Sequence, residues 1–144
     1  MRRPPTDLEI LEEIYRRYYP VFVDPRRLEK NPHGKIHVPV DLAAIAAHFG
    51  VDLDIIFGRL YYHLNAKYGF EVTDYVGNEE RKSRVDLFSL QVGGERHCVQ
   101  FPLLASLAAD LRDQRNQYLW TLWLSIIATV LSVLALGVSI LDMG

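Results

Sequence analysis

Five histidines, His33, His37, His48, His63 and His97, and one cysteine, Cys98, are the side chains best suited to ligate a metal or to act as base or nucleophile. Their spacing does not assemble a site. His33 and His37 have three residues between them, but Pro32 and Gly34 put them on irregular chain, and neither Cys-x-x-Cys nor His-Glu-x-x-His accompanies them. Cys98 has no evident base partner and alternates with Val99, as a packed strand thiol would. A phosphate-cradling glycine loop and a Gly-x-Ser-x-Gly elbow are both missing, and Gly93-Gly94 reads as a turn. The paired carboxylates Glu12-Glu13 and Glu79-Glu80 are adjacent in sequence and read as solvated charge. The expectation is a protein with no catalytic residue, cofactor or metal, and so not an enzyme.

What remains able to do chemistry is charge, and it is unevenly placed. All 16 Lys and Arg, and all of the 18 Asp and Glu except Asp142, precede Tyr118, which leaves the first 117 residues at a net charge of about −1. Such a balance exerts no global pull on nucleic acid or anionic lipid, so any basic surface is local. Two clusters qualify: Arg26, Arg27, Lys30 and Lys35, and Arg81, Lys82, Arg84 and Arg96, each interleaved with acids such as Glu29, Glu79, Glu80 and Glu95. A single cysteine rules out an intramolecular disulfide and fits a reducing compartment. The charged N-terminal stretch is not the core of a signal peptide.

No charge interrupts residues 118–141. At about 1.5 Å per residue, residues 119–141 span roughly 34 Å as a helix, enough for a hydrocarbon core of about 30 Å. Tyr118, Trp120 and Trp123 cluster at the entering end, where amphipathic rings prefer the headgroup level, with Arg112 and Arg115 just before them. The positive-inside bias places the preceding domain in the cytoplasm, giving a single-pass, tail-anchored membrane protein whose span contacts lipid. Thr121, Ser125, Ala128, Ser132, Ala135 and Ser139 recur at spacings of four and three, a stripe of small residues suited to homo-oligomerisation. The phase runs backward through Gln114, Leu111, Leu107 and Leu104, so one long helix from Leu103 is expected, with Pro102 in its first turn.

Ahead of the tail, Thr6 and Glu9 form a capping box for a helix over 7–19, ended by Pro20. A basic loop over 21–34, with a short helical turn after Asp24, leads to a short strand over 36–40. Asp41 caps a helix over 42–49, closed by Gly50; Asp52 caps the next, which runs to Tyr68 with Ile55, Ile56, Leu60 and Leu64 on its inner face, and Gly69 closes it. Residues 70–84 read as an exposed charged loop with a short strand at 70–76, and 85–92 and 96–101 as strands of a hairpin turned by Gly93-Gly94. The aromatic group Tyr15, Tyr18, Tyr19, Phe22, Tyr61, Tyr62, Tyr68 and Phe70 reads chiefly as core.

The run Leu42-Ala43-Ala44-Ile45-Ala46-Ala47-His48-Phe49-Gly50-Val51-Asp52, followed by Ile56 and Leu60, resembles the helix-turn-helix core of winged-helix proteins. Ala46 stands where the two helices touch, Gly50 at the turn, and the 85–101 hairpin where the wing would be. The resemblance covers about residues 36–101, with the charged stretch 70–84 as an insertion before the wing. It implies an α+β fold: a winged-helix-like cytosolic domain over 1–101, a juxtamembrane helix over 102–118 and a transmembrane helix over 119–141. It also implies that the 52–68 helix enters a DNA major groove, with Arg59, Tyr62, His63, Asn65 and Lys67 touching bases or phosphates, and Arg81, Lys82, Arg84 and Arg96 helping around the wing. That helix is close to neutral overall and Asp52 and Asp54 lead it, whereas phosphate contacts supply much of DNA affinity. Two functions follow: a membrane-tethered DNA-binding regulator, or a membrane-localised adaptor or oligomeric effector whose winged helix contacts protein.

Overall fold

The capping box at Thr6 forms as expected: Thr6 Oγ1 accepts from the Glu9 N–H at 3.3 Å, and the Thr6 N–H donates to Glu9 Oε2 at 2.7 Å. It opens α1, Asp7–Val23. The structure, a computed structural model, describes residues 3–30, 35–76 and 79–142. Pro20 does not end α1 but lies inside it. Proline forfeits one backbone hydrogen bond there, yet the last turn is held by packing, because the Phe22 ring stacks on Phe101 at 4.7 Å and 17°. After it, Asp24 Oδ1 accepts from the Arg26 N–H at 3.0 Å and starts α2, Pro25–Lys30, so the basic stretch contains a helical turn.

β1, His37–Pro39, precedes α3, Leu42–Phe49. Asp41 Oδ1 caps α3 by accepting from the N–H groups of Ala43 and Ala44 at 2.9 and 3.1 Å. Gly50 closes it in the left-handed conformation, at φ 62°. Asp52 caps α4, Leu53–Gly58, and the chain stays helical through a π-helical segment, Arg59–Leu64, into α5, Asn65–Tyr68. Gly69 follows at φ −69°, so it is not a left-handed cap. Space is what demands glycine there, since a Cβ would stand 2.6 Å from the Asn65 carbonyl oxygen.

The stretch expected as a charged loop is a second hairpin: β2, Phe70–Val76, pairs antiparallel with β3, Glu79–Val85. Its strands place Glu71 opposite Arg84 and Asp74 opposite Arg81, while the Arg84 guanidinium turns to Asp86. Val85 thus ends β3, and the next hairpin is β4, Phe88–Val92, with β5, Glu95–Gln100, turned at Gly93 with φ 61°. β1 adds to the other side of β5, giving a three-stranded antiparallel sheet in the order β1-β5-β4. Phe101 opens α6, Phe101–Asp142, rather than ending the strand before it.

Ile10, Leu11 and Ile14 of α1, Ile45 of α3, Ile56, Leu60 and Leu64, Leu87, Phe88 and Val99 of the sheet region, and Phe101 and Leu104 are fully buried and form the core. Ile55 is not among them at 44% exposure. The buried stripe runs at spacings of four through Ile56, which turns Ile55 aside. The chain divides into two units, Met1–Ala108 and Ala109–Gly144. The first is mixed helix and strand. The second lies within α6 as far as the helix is described, and side chains from Arg112 to Val138 are exposed. α6 is long and apolar enough to cross a membrane, and none of its apolar window is buried.

Candidate functional site

Three of the side chains expected to face DNA meet at one carboxylate. Arg59, His63 and Lys67 follow one another at spacings of four, and a regular α-helix would carry such a row about 40° around its surface at each step. The π-helical segment, with more residues per turn, takes up part of that drift. All three reach Asp7, the first residue of α1. Arg59 Nη2 donates to Asp7 Oδ1, while His63 Nε2 and Lys67 Nζ each lie 3.2 Å from Oδ2. The Asp7 side chain is 13% exposed. Burial pushes its carboxyl up, but the Lys67 hydrogen bond and the charges of Arg59 and His63 outweigh that and hold it below the usual range.

Asn65 is engaged on the backbone. Its amide nitrogen donates to the Phe88 carbonyl at 2.6 Å, and its amide oxygen accepts from the Phe88 N–H at 2.7 Å. Both polar atoms are thereby engaged in joining α5 to β4. Tyr62, at 75% exposure, is open to solvent and meets Phe57 edge-on at 5.8 Å. Its neighbour Tyr61 points inward: its hydroxyl lies 3.0 Å from His97 Nδ1 and 3.3 Å from the Ser89 carbonyl. Burial, with a smaller contribution from Cys98, pushes the Tyr61 phenol up to about 12.

The two basic clusters are also divided in role. Arg84 pairs with Asp86 at 2.8 Å and donates to the Asn65 carbonyl at 3.1 Å. Arg27 donates to the His37 carbonyl at 2.8 Å and pairs with Glu95 at 3.2 Å. Arg81, Lys82 and Arg96 are exposed on β3 and β5. His37, His48, His63 and His97 lie on different elements, and His33 falls outside the described residues. Cys98 is buried, and that burial raises its thiol pKa.

Glu13, expected as a solvated carboxylate, is 5% exposed. Arg16 and Arg17 each close on it with two hydrogen bonds of 2.6–3.1 Å, and His48 Nδ1 of α3 lies 3.6 Å away. Burial raises this carboxyl and the two arginine contacts more than reverse the effect. No feature of the sequence marks Glu13 over Glu12, or links Asp7 to a helix more than fifty positions away. The four-residue spacing of Arg59, His63 and Lys67 was the one available signal.

On α6, Tyr118, Trp120 and Trp123 are exposed, as are Thr121, Ser125, Ala128, Ser132 and Ala135; the side chain of Ser139 lies outside those described. Two stripe hydroxyls donate to their own helix, Thr121 to the Gln117 carbonyl at 2.9 Å and Ser132 to that of Ala128 at 2.8 Å. No known protein family, curated protein or solved structure matches the chain.

Proposed function

We propose that this chain is a membrane-anchored interaction module: a winged-helix-like head on the cytoplasmic side of a bilayer, held by a single C-terminal span and contacting protein rather than DNA. Apart from the short α2 and the separate β2–β3 hairpin inserted before β4, the order helix, strand, helix, helix, strand, turn and strand, with sheet order β1-β5-β4, supports the winged-helix reading. The observation that carries the choice of partner is the internal use of the helix that would enter a major groove. Arg59, His63 and Lys67 are drawn to Asp7, and Asn65 is engaged on Phe88, so the donors that would read bases or hold a duplex backbone already have partners within the fold. Beside its exposed charged residues that helix offers outward Leu53, Ile55 and Tyr62, aliphatic and aromatic side chains of the kind that anchors protein contacts. The span brings copies together through its small-residue stripe, which makes the anchored form a homo-oligomer.

The full chain in nanodiscs of neutral lipid, titrated with random duplex DNA at low salt, tests the partner class. The expected outcome is no saturable binding. Salt-dependent binding that falls away when Arg81, Lys82 and Arg96 are changed to Ala would replace this reading with the DNA-binding regulator. Protease applied to intact cells tests the orientation: the head is expected to be protected.

A further inference from the structure

Asp7 offers two carboxylate oxygens to two cationic side chains and a histidine. Arg59 takes Oδ1, and His63 and Lys67 share Oδ2. Arginine and lysine alone bring two positive charges to one negative, so the cluster carries surplus positive charge whatever the state of His63. The buried Nε of Arg59 has no hydrogen-bond partner among the described residues. His63 and Lys67 are 46% and 50% exposed, which leaves the row open to solvent along its outer end. The first turn of α1, a helix of 17 residues, adds the positive end of its dipole at the same place.

A terminal phosphate presents three acceptor oxygens and close to two negative charges at neutral pH. It matches the row better than a carboxylate does, because Arg59, His63 and Lys67 would each have an oxygen of their own and the surplus charge would be neutralised. We infer that Arg59, His63 and Lys67 form a binding site for a phosphate group, which the Asp7 carboxylate occupies in its absence and yields when a phosphate-bearing ligand arrives. Asp7 begins α1, so occupancy of the row is linked to the seating of that helix's first turn. The inference agrees with the protein-contact reading only for a terminal phosphate: a phosphodiester of duplex DNA, with one charge and two free oxygens, offers the row no more than the Asp7 carboxylate does, so the row stays closed to it.

The test uses the full chain, with nitrogen-labelled histidine, in phosphatidylcholine nanodiscs. Inorganic phosphate or pyrophosphate is added in one arm, and phosphatidic acid is included in the bilayer in another, which separates a free phosphate from a lipid headgroup. Phosphate in at least one arm is expected to shift the His63 ring resonances saturably, while chloride and acetate at matched ionic strength do not. Asp7→Asn removes the internal competitor and is expected to tighten binding by about tenfold or more, and Arg59→Gln to abolish it. Unchanged or absent phosphate binding in Asp7→Asn overturns the inference. Should Asp7→Asn fail to fold, the wild type decides: His63 resonances that do not move in either arm, or that move equally in acetate or in Arg59→Gln, overturn it.

Discussion

Asn65 was expected to face a base, because its amide can donate and accept side by side, and the same two-sided geometry lets it hold both backbone atoms of Phe88. The residue type was legible in the sequence; the partner was not, since an amide matches a backbone unit as well as an adenine edge. Asn65→Asp tests the structural role. A carboxylate still accepts from the Phe88 N–H but cannot donate to its carbonyl, so a loss of about 1–3 kcal/mol is expected, lowering the melting temperature of the head by roughly 4 °C or more. Asp7 and Glu13 extend the argument to pH. Both carboxyls have folded-state pKa values below their ordinary ones, so their contribution to stability is complete above about pH 5 and is lost as the pH falls through those lowered values, where the folded state must also take up protons. Unfolding of the full chain in detergent, followed by near-ultraviolet circular dichroism from about pH 6 to about pH 3, should show a flat region and then a steep decline. Asp7→Asn should make that decline shallower, and a stability that rises with acid would contradict the assignment.

Among the elements, those with a local chemical cause were legible. Thr6, Asp41 and Asp52 supply side-chain acceptors at helix starts, Gly50 a left-handed residue at a helix end, and Gly93 a positive φ at a turn. Where the cause was tertiary the sequence misled. Pro20 looked like a terminator until Phe22 is seen stacked on Phe101, and the charged 70–84 stretch looked like a loop until Glu71 and Asp74 are placed across from Arg84 and Arg81. Nothing local distinguishes a charged loop from a charged hairpin. The β4–β5 turn provides a contrast of two adjacent glycines. Gly93 sits at φ 61°, whereas Gly94 does not have a positive φ, and neither has atoms near the place a Cβ would take. Gly93→Ala is therefore expected to cost about 1–2 kcal/mol through backbone strain alone, and Gly94→Ala to change little. Equal losses in urea unfolding of the two variants would show that the turn tolerates a left-handed alanine or relaxes around it.

For the whole molecule, α6 carries two tasks in sequence: Phe101, Leu104 and Ala108 close the core of the first unit, and the residues after Tyr118 present apolar side chains outward through Val138. The long apolar helix was the most legible feature, because length and absence of charge need no knowledge of packing. How spans would associate is a finer matter, and the back-bonded hydroxyls bear on it. Ser132 donates its proton to the Ala128 carbonyl, and Thr121 to that of Gln117, so each has only lone pairs left for a neighbouring helix. At Thr121 and Ser132, where the donor is spent within the helix, the proposed contact would act through small size, by letting backbones approach, more than through hydrogen bonds between helices. Ser132→Ala should then leave self-association in the membrane within about 0.6 kcal/mol of wild type, the usual scale of an interhelical hydrogen bond. Ser132→Leu and Ala135→Leu should weaken it strongly, as read by a membrane association reporter or by cross-linking in detergent. Collapse of association in Ser132→Ala alone would instead assign the contact to the hydroxyl, and unchanged association in both leucine variants would move the contact to another face of α6.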